Sequence, residues 1–275
     1  MKIICWDDLL SGQPLFPQGT AISIGGFDGP HRGHERIFSA VMQAAEISGM
    51  PAGLVTFRRS PRFRKAGEAY SGDVSTLEMR LQKFAERGFA FTVLIDFSAD
   101  FARMKGAVFF DILIKTICIK YLAVGSDFTC GYRHDTGVED LQRLAPQKGF
   151  CFDSIEQLYS SRRERISSSA IRQAVEQADF ALAKDLLGYP FFLDVAKIAQ
   201  RMGNAECSIE KSAIEQILPV NGCYAARLYL HIGHPISVQV KITDFSLEVF
   251  FQHDTPIPAI TAEMPIQRLE FIRKE

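Results

Sequence analysis

The sequence predicts an α/β fold with a doubly wound parallel sheet, followed by a second, smaller antiparallel domain of β-barrel type. Two observations predict it. Up to about residue 188, short β-rich runs alternate with longer helical runs, which is the pattern of βαβ units. After that point, polar and apolar residues alternate without intervening helices, as they do in antiparallel strands. We therefore expect domains at residues 1–188 and 189–275.

The first domain is predicted from four strand-like and four helix-like runs. Strands are expected in "TAISIGGF", "PAGLVTF", "AFTVLIDF" and "YLAVGSDF", and helices in "RGHERIFSAVMQAAEISG", "TLEMRLQKFAERG", "GAVFFDILIKTI" and "SSSAIRQAVEQADFALAKDLLG". In the first of these helices, Ile37, Phe38 and Val41 recur at helical spacing, and Gly49 marks the end. The last run is long enough for one or two helices.

The second domain is predicted from three β-rich runs. They are "NGCYAARLYLH", "PISVQVKI" and "SLEVFF", separated by the short polar segments "IGH" and "TDF". Short connections of this kind join antiparallel neighbours, so we expect a small sheet or partial barrel.

Charge and hydropathy exclude several classes of protein. The 275 residues carry 31 basic and 32 acidic side chains, a net charge of −1, so no global field attracts a polyanion and we expect no nucleic-acid partner. The most hydrophobic stretch, "AVFFDILIKTICIKYLAVG", is interrupted by Asp111, Lys115 and Lys120. The start, "MKIICWDDLL", is too short for a signal peptide. We expect a cytoplasmic protein with no membrane partner.

The six cysteines indicate neither disulfides nor a metal site. They are scattered, with no C-x-x-C pair and no histidine at the spacing of zinc ligands. This predicts free, mostly buried thiols in a reducing compartment, and no metal held by the protein.

The stretch "SIGGFDGPHRGH", residues 23–34, joins the first predicted strand to the first predicted helix. The free N–H groups and the dipole at a helix N-terminus favour an anion. Gly25 and Gly26 would let a ligand approach the backbone closely, and Gly33 leaves room for a phosphate group. Pro30 is expected to open the helix, because its missing N–H needs no partner there. The turn is therefore a candidate phosphate site.

Two histidines lie in this turn. His31 and His34 are three residues apart, so both project from one face of the first helical turn. Imidazoles in that place can donate hydrogen bonds to phosphate oxygens whose charge increases during phosphoryl or nucleotidyl transfer. The alternative interpretation is a glycine-rich turn with two solvent-facing histidines.

A second candidate anion contact opens the last helical run. Ser167–Ser169 stand at its start, where a serine caps a helix, and Arg172 follows one turn later, within reach of the same anion. The alternative interpretation is a plain N-cap with an exposed arginine.

Three stretches together resemble a known family, the prokaryotic bifunctional riboflavin kinase/FAD synthetases of the H-x-G-H nucleotidyltransferase superfamily. "IGGFDGPHRGH" is similar to the signature I-G-x-F-D-G-x-H-x-G-H. "VGSDFTCG" is similar to V-G-x-D-F-x-F-G, with Cys130 in place of phenylalanine. "ISSSAIR" is similar to I-S-S-T-x-I-R, with Ser169 in place of threonine. The resemblance spans residues 22–191 and implies a Rossmann-like FMN adenylyltransferase domain, which makes FAD and pyrophosphate from ATP and FMN.

The resemblance also implies roles for the matched residues. His31 and His34 would bind the ATP phosphates, with His34 nearer the transferred α-phosphate, and Ser168 and Arg172 would hold the departing pyrophosphate. Mg²⁺ would arrive with ATP, while FMN and FAD are substrate and product. The other matched residues are expected to line the nucleotide and flavin sites: Gly25, Gly26, Phe27, Asp28, Gly33, Gly125, Asp127, Phe128, Ser167 and Ser169.

The loop "TFRRSPRFRK" departs from the family pattern T-F-x-P-H-P. Thr56 and Phe57 are kept, but Arg59 and Ser60 replace proline and histidine. The extra arginines, Arg62 among them, are candidates to hold the FMN phosphate. The alternative interpretation is a solvated basic loop.

The second domain resembles the family's riboflavin kinase domain without its phosphate site. "ILPVNGCYAARL" is similar to I-x-P-x-N-G-V-Y, and "RLEFIRKE" to a closing R-L-R-x-E helix, while Glu248 stands where the kinase has its base. The kinase signature G-F-P-T-A-N is missing, and residues 190–219 contain no threonine. We therefore expect the kinase activity to be lost.

Two other functions stay open. The superfamily includes enzymes that transfer a nucleotide to pantetheine phosphate, nicotinamide mononucleotide or glycerol phosphate, although the second domain and "FDG" argue against them. A non-catalytic flavin or nucleotide sensor would keep the pocket and release no pyrophosphate. The sequence leaves the oligomeric state and the source of FMN open.

Overall fold

The computed structural model describes residues 1–59, 70–160, 163–203, 206–251 and 265–275. The chain divides into two compact units. The first unit comprises Met1–Gly67 and Arg80–Tyr159, and the second comprises Glu68–Met79 and Ser160–Glu275. This division falls earlier in the chain than the domain boundary expected at residue 188, which stays a prediction.

The first unit is built on a six-stranded parallel sheet. Its strands, with one two-stranded hairpin (β6 and β7), are β1 (Lys2–Cys5), β2 (Thr20–Ile24), β3 (Ala52–Phe57), β4 (Phe91–Ile95), β5 (Ile119–Gly125), β6 (Thr129–Cys130), β7 (Thr136–Gly137) and β8 (Cys151–Ile155). Its helices are α1 (Trp6–Leu9), α2 (Arg32–Ser48), α3 (Leu77–Glu86), α4 (Gly106–Ile117) and α5 (Val138–Lys148). The sequence patterns predict β2–β5 and α2–α4, whereas β1, β8 and α5 were not predicted.

The strand order of the sheet, β1-β4-β3-β2-β5-β8, reverses beside β2. The chain runs outward from β2 to β3 and β4, then returns to place β5 on the other side of β2. In open α/β sheets such a reversal leaves a crevice at the carboxyl ends of the two strands, where ligands bind. The turn "SIGGFDGPHRGH" continues from β2 and the segment "GSDF" from β5, so both candidate sequences lie at this crevice.

Helices cover both faces of the sheet, so β2 contributes to two hydrophobic cores. Ala21 belongs to the core beneath α2, together with Phe38 and Val41, whereas Ile22 belongs to the core beneath α4, together with Leu113. Successive residues of a strand point to opposite faces, which sends alternate residues into different cores. All of β2 is therefore buried, as expected for a central parallel strand.

The ends of α2 follow backbone geometry. Gly49 ends the helix at φ 63°, the left-handed conformation that glycine adopts without strain, as the sequence predicts. The expectation that Pro30 opens the helix is wrong. Arg32 is the first helical residue, and His31 caps it with extended backbone angles, φ −116° and ψ 172°. Pro30 therefore precedes the cap.

The second unit carries two helices and a curled, seven-stranded antiparallel sheet. The elements are α6 (Ser168–Glu176), α7 (Phe180–Leu187), β9 (Phe192–Asp194), β10 (Gln200–Met202), β11 (Glu206–Glu210), β12 (Gly222–Tyr229), β13 (Ile236–Ile242), β14 (Ser246–Phe251) and β15 (Arg268–Lys274). The strand order is β10-β11-β14-β13-β12-β15-β9. In β13, Val238, Val240 and Ile242 are buried and the residues between them are exposed. The predicted fold class is confirmed.

The expectation of a closing helix in "RLEFIRKE" is wrong. These residues form β15, which pairs antiparallel with both β12 and β9. Leu269 and Phe271 are buried in this arrangement. Two neighbouring strands offer hydrogen-bond partners along most of the run, so tertiary pairing decides its conformation.

The expectation of mostly buried thiols is also wrong. All six cysteines are free, but only Cys207 is buried, while Cys5, Cys151 and Cys223 are exposed. Cys5 and Cys151 lie on β1 and β8, the two edge strands of the parallel sheet, where less of the surface is covered.

The most hydrophobic run of the chain forms an ordinary core helix and a strand. α4 has 12 residues and carries Asp111 and Lys115, whereas a helix that crosses a bilayer needs about 20 apolar residues. In the described ranges, no helix has the length and hydropathy of a membrane span.

Candidate active site

His31 and His34 form a stacked pair at the start of α2. Their ring centroids are 3.7 Å apart, and the ring planes differ by 17°. The His31 backbone N–H donates to Nδ1 of His34 over 3.3 Å, and the His34 backbone N–H donates to the His31 carbonyl over 2.8 Å. Because Nδ1 of His34 accepts a hydrogen bond, the neutral ring carries its proton on Nε2. That proton is available to a ligand oxygen.

Both histidines are neutral at pH 7. Burial lowers the pKa of His31 to about 4. Burial, and then the charge that His31 would carry, hold the pKa of His34 well below its usual value. His31 is only 5% exposed, so it is not the solvent-facing residue of the alternative interpretation. The two imidazoles therefore bring no charge of their own to the start of α2.

Two buried polar atoms on β2 and the following turn have no hydrogen-bond partner in the described part of the chain. They are Nδ1 of His31 and Oγ of Ser23. A buried polar atom without a partner costs free energy until water or a ligand reaches it. The residues present thus fit a polar ligand at the amino end of α2.

The ring of Phe27 packs against the ring of His34. The backbone of Phe27 is left-handed, with φ 45°, and its buried ring lies edge-on to His34 with centroids 5.2 Å apart. A Cβ on Gly25 would stand 2.8 Å from this ring. The glycine at position 25 is therefore required by packing inside the protein, and the close approach of a ligand to its backbone stays a prediction. Gly26 differs, because a Cβ there would meet no atom within 4 Å.

Arg80 is buried on α3 and is not among the residues predicted from the sequence. Its Nη1 donates to the carbonyls of Gly26, over 3.2 Å, and Phe57, over 3.0 Å, and its Nη2 donates to the carbonyl of Arg58 over 2.8 Å. The Oγ1 of Thr56 also donates to the Gly26 carbonyl, over 3.0 Å. The available signal was an arginine on the apolar side of a helix, one turn before a buried phenylalanine.

Gly125 and Asp127 lie at the carboxyl end of β5. A Cβ on Gly125 would stand 3.2 Å from Oδ1 of Asp127 and 3.9 Å from Ile37 of α2. The Asp127 carboxylate therefore folds back over the end of β5, on the face of the sheet that α2 covers. Phe128 packs against the other core, beneath α4, so its ring supports the fold.

A cluster of three half-buried aromatic rings follows β3 and β4. The centroids of Phe57 and Phe97 are 5.7 Å apart, those of Phe57 and Phe101 are 6.1 Å apart, and those of Phe97 and Phe101 are 5.9 Å apart. Beside them, Arg58 and Asp96 form an exposed ion pair at 3.0 Å. This aromatic cluster offers a surface on which a flat ring system can stack.

The serine and arginine residues of "ISSSAIR" belong to the second unit. Ser167 caps α6 as predicted, with its Oγ accepting a hydrogen bond from the Ala170 N–H over 3.2 Å. Arg172 is buried, which corrects the alternative of an exposed arginine: its Nε donates to the Gly72 carbonyl over 2.8 Å, and its guanidinium lies over the Tyr70 ring. Ser168 and Ser169 lie in the first turn of α6, and their phosphate contacts stay predictions.

Two further predicted residues, Asp28 and Gly33, lie in or beside the histidine turn. Asp28 is buried in the turn, and Gly33 is half-buried in the first turn of α2. Arg62 lies outside the described residues, as does Ser60. Across the described ranges, no group of three His, Cys, Asp or Glu side chains is arranged to hold a metal ion.

Comparison with known proteins identifies the family. The FAD synthetase family profile matches residues 13–170, a range that holds both the histidine turn and the end of β5. The bifunctional riboflavin kinase/FMN adenylyltransferase of Escherichia coli K12 is 30% identical over 234 residues, covering 83% of this chain and 73% of that protein. The chain belongs to the FAD synthetase family.

Other relatives agree with this assignment. The bifunctional riboflavin kinase/FMN adenylyltransferase of Haemophilus influenzae is 27% identical over 222 residues, covering 78% of this chain and 71% of that protein. The crystal structure of a macrolide-efflux protein from Streptococcus pneumoniae superimposes with a TM-score of 0.78 and covers 100% of this chain and 92% of its own, at 21% identity. That similarity confirms the fold. The family assignment makes this chain a nucleotidyltransferase of FAD biosynthesis.

The low pKa of His31 predicts a stability that falls in mild acid. In the unfolded chain, His31 takes up a proton below its usual pKa of about 6.5, whereas in the folded protein it does so only near pH 4. The contribution of His31 to the free energy of unfolding is therefore fully present above pH 6.5 and is lost as the pH falls toward 4. The loss attributable to His31 is about 3 kcal/mol at most. Urea unfolding of the wild type and of His31→Gln between pH 7.5 and 4.5 measures it.

The wild type should lose stability as the pH falls, whereas His31→Gln has no proton to take up at this position. The difference in the free energy of unfolding between the two proteins should therefore become smaller at low pH. His231→Gln, at an exposed hairpin, serves as the control and should follow the wild type. A difference that stays constant from pH 7.5 to 4.5 would contradict the neutral, buried state of His31.

The structure predicts a large effect of an alanine substitution at Gly25 and a small effect at Gly26. Gly25→Ala forces the buried Phe27 ring to move and should lower the free energy of unfolding by about 1–3 kcal/mol. Gly26→Ala adds a methyl group to open space and should change it by about 0.5 kcal/mol or less. Urea midpoints of both variants provide the measurement, and equal losses would show that Phe27 does not occupy the place assigned to it.

Proposed function

We propose that the protein is an FMN adenylyltransferase that transfers AMP from ATP to FMN and lacks riboflavin kinase activity. One observation carries the proposal: a neutral, stacked histidine pair stands at the amino end of α2, at the strand-order reversal of a FAD synthetase family member. Its substrates are then ATP and FMN, and its products FAD and pyrophosphate.

The transfer requires no protein nucleophile. An oxygen of the FMN phosphate forms a bond to the α-phosphorus of ATP, while the bond from that phosphorus to the bridging oxygen breaks and pyrophosphate leaves with the electron pair. The protein has to hold two anions in line and stabilise the charge on the transferred group.

The histidine turn supplies the groups for the ATP side. The Nε2–H of His34 is a donor for the α-phosphate, and His31, with its unpartnered Nδ1, lies against the same phosphates. The open surface of Gly26 provides a place for the nucleotide to lie close to the backbone. Mg²⁺ bound to the ATP phosphates would neutralise part of their charge.

The aromatic cluster and the basic loop supply the groups for the FMN side. Phe57, Phe97 and Phe101 offer stacking partners for the flat flavin ring, and Arg58 and Arg59 begin the loop proposed to hold its phosphate. Stacking and charge together would distinguish FMN from riboflavin, which has the ring and no phosphate.

The proposal assigns no kinase chemistry to the second unit. Ser168 and Arg172 are proposed to hold the leaving group. The sheet of the second unit is retained, but Glu248 accepts a hydrogen bond from Ser246 and lies opposite Lys241 on β13, and residues 190–219 contain no threonine to meet Mg²⁺ and phosphate.

A different acceptor phosphate is the second candidate. The replacement of proline and histidine by Arg59 and Ser60 in the loop after β3 favours it, since that loop follows the proposed flavin surface. The donor half of the site would be unchanged.

Incubation with ATP and Mg²⁺, together with either FMN or riboflavin, tests the function. Separation of the flavins should show FAD formed from FMN, with equimolar pyrophosphate, and neither FMN nor FAD formed from riboflavin. Conversion of riboflavin to FMN with release of ADP would contradict the loss of the kinase. Binding of FMN without release of pyrophosphate would favour a sensor over an enzyme.

His34→Ala should lower turnover far more than it weakens FMN binding. Removing one donor aimed at the charge of the transition state costs about 100- to 1,000-fold in kcat, whereas FMN lies on the other side of the site. His231→Ala provides a control at an exposed hairpin. Turnover numbers and FMN titrations of both variants provide the measurement. Unchanged turnover in His34→Ala would remove this residue from the mechanism.

A further inference from the structure

We propose that Arg80 is a positioning residue, which fixes the ATP side and the FMN side of the active site relative to one another by binding the backbone of both. The inference rests on the proposed transfer of AMP to FMN. Arg80 would touch neither substrate, and it would act through the carbonyl groups that it holds.

The contacts of Arg80 join two segments that leave neighbouring strands. The residue is only 2% exposed, so the guanidinium is removed from water and its hydrogen bonds are made inside the protein. One contact is to the carbonyl of Gly26, in the turn that carries the histidines. The others are to the carbonyls of Phe57 and Arg58, where the aromatic cluster and the basic loop begin. A planar, rigid guanidinium thus sets the spacing of the two segments.

The Gly26 carbonyl is held by two donors, Nη1 of Arg80 and Oγ1 of Thr56. In a trans peptide the carbonyl and the following N–H point in opposite directions. Fixing the Gly26 carbonyl therefore fixes the direction of the Phe27 N–H and supports the left-handed backbone of Phe27, whose ring lies against His34. Arg80 is in this way connected to the orientation of the histidine pair.

The rate of AMP transfer depends on the distance between these two segments. Two substrates bound on separate segments react only when the FMN phosphate is in line with the bond that breaks, and a displacement of about 1 Å costs about 100-fold in rate. Each substrate contacts its own segment, so binding of either substrate alone is less sensitive to the spacing. Loss of Arg80 should therefore appear in turnover and not in affinity.

Arg80→Lys and Thr56→Val test the proposal. Lysine keeps the charge, but its compact ammonium cannot span three carbonyls, and kcat should fall about 100-fold. Thr56→Val removes the second donor to Gly26 and should lower kcat about tenfold. Thr92→Val is the matched control, since Thr92 is an equally buried threonine on β4 with no bond to Gly26, and its kcat should change by about twofold or less.

Calorimetric titration with ATP alone and with FMN alone separates positioning from damage to the fold. Both variants should bind each substrate with unchanged stoichiometry and with dissociation constants within about threefold of wild type, because the binding groups remain. Reduced stoichiometry, or affinity lost as strongly as turnover, would overturn the proposal.

A double-mutant cycle provides the second readout. Arg80→Lys and Thr56→Val act on one carbonyl, so their effects on kcat should be less than multiplicative, whereas Arg80→Lys and Thr92→Val should multiply. Multiplicative effects in both pairs would overturn the proposal. Should Arg80→Lys fail to fold, a kcat of Thr56→Val equal to that of Thr92→Val would overturn it as well.

The activity of the wild type separates a failure of the proposed function from a failure of the positioning role. If it forms no FAD from FMN and ATP, the proposed function fails, and the positioning role falls with it. If it forms FAD and the variants keep full turnover, only the positioning role fails.

Discussion

The reversal of strand order beside β2 is the constraint on which the candidate site depends. β2 is central, and the chain leaves it first toward β3 and β4 and later returns to place β5 on its other side. In open α/β sheets such a reversal leaves a crevice at the carboxyl ends of the two strands. The glycines, the histidine pair and Asp127 are functional candidates because the topology places them at that crevice. At the opposite edge of the sheet, the same residues would form an ordinary connecting loop.

The burial of the histidine pair has a chemical consequence. Neutral imidazoles at the amino end of α2 supply N–H donors without repelling each other, and the helix dipole favours an anion at the same place. A negatively charged ligand would favour protonation and so raise the pKa of both rings. The buried Nδ1 of His31 has no hydrogen-bond partner among the described residues, and this costs stability that a polar ligand at the site would restore.

The second unit has a structural role that does not depend on kinase chemistry. The segment that leads into α3 is part of it. Gln216 donates to the carbonyls of Val74 and Phe192, and a Cβ on Gly72 would stand 2.6 Å from the backbone nitrogen of Ile217. This packing ties a segment from the first half of the sequence into the start of the antiparallel sheet.

The sequence by itself determined the βαβ pattern, the strand–turn–helix context of the two histidines, the serine cap of α6 and the left-handed end of α2 at Gly49. These features are local, since periodicity, capping and backbone freedom depend on residues a few positions apart. Only the tertiary structure decided that "RLEFIRKE" is a strand, that Gly25 makes room for Phe27, that the imidazoles are buried and neutral, and that Arg80 holds Gly26. Each of these depends on a neighbour distant in sequence or on how deeply the fold buries a side chain, and no local pattern encodes either.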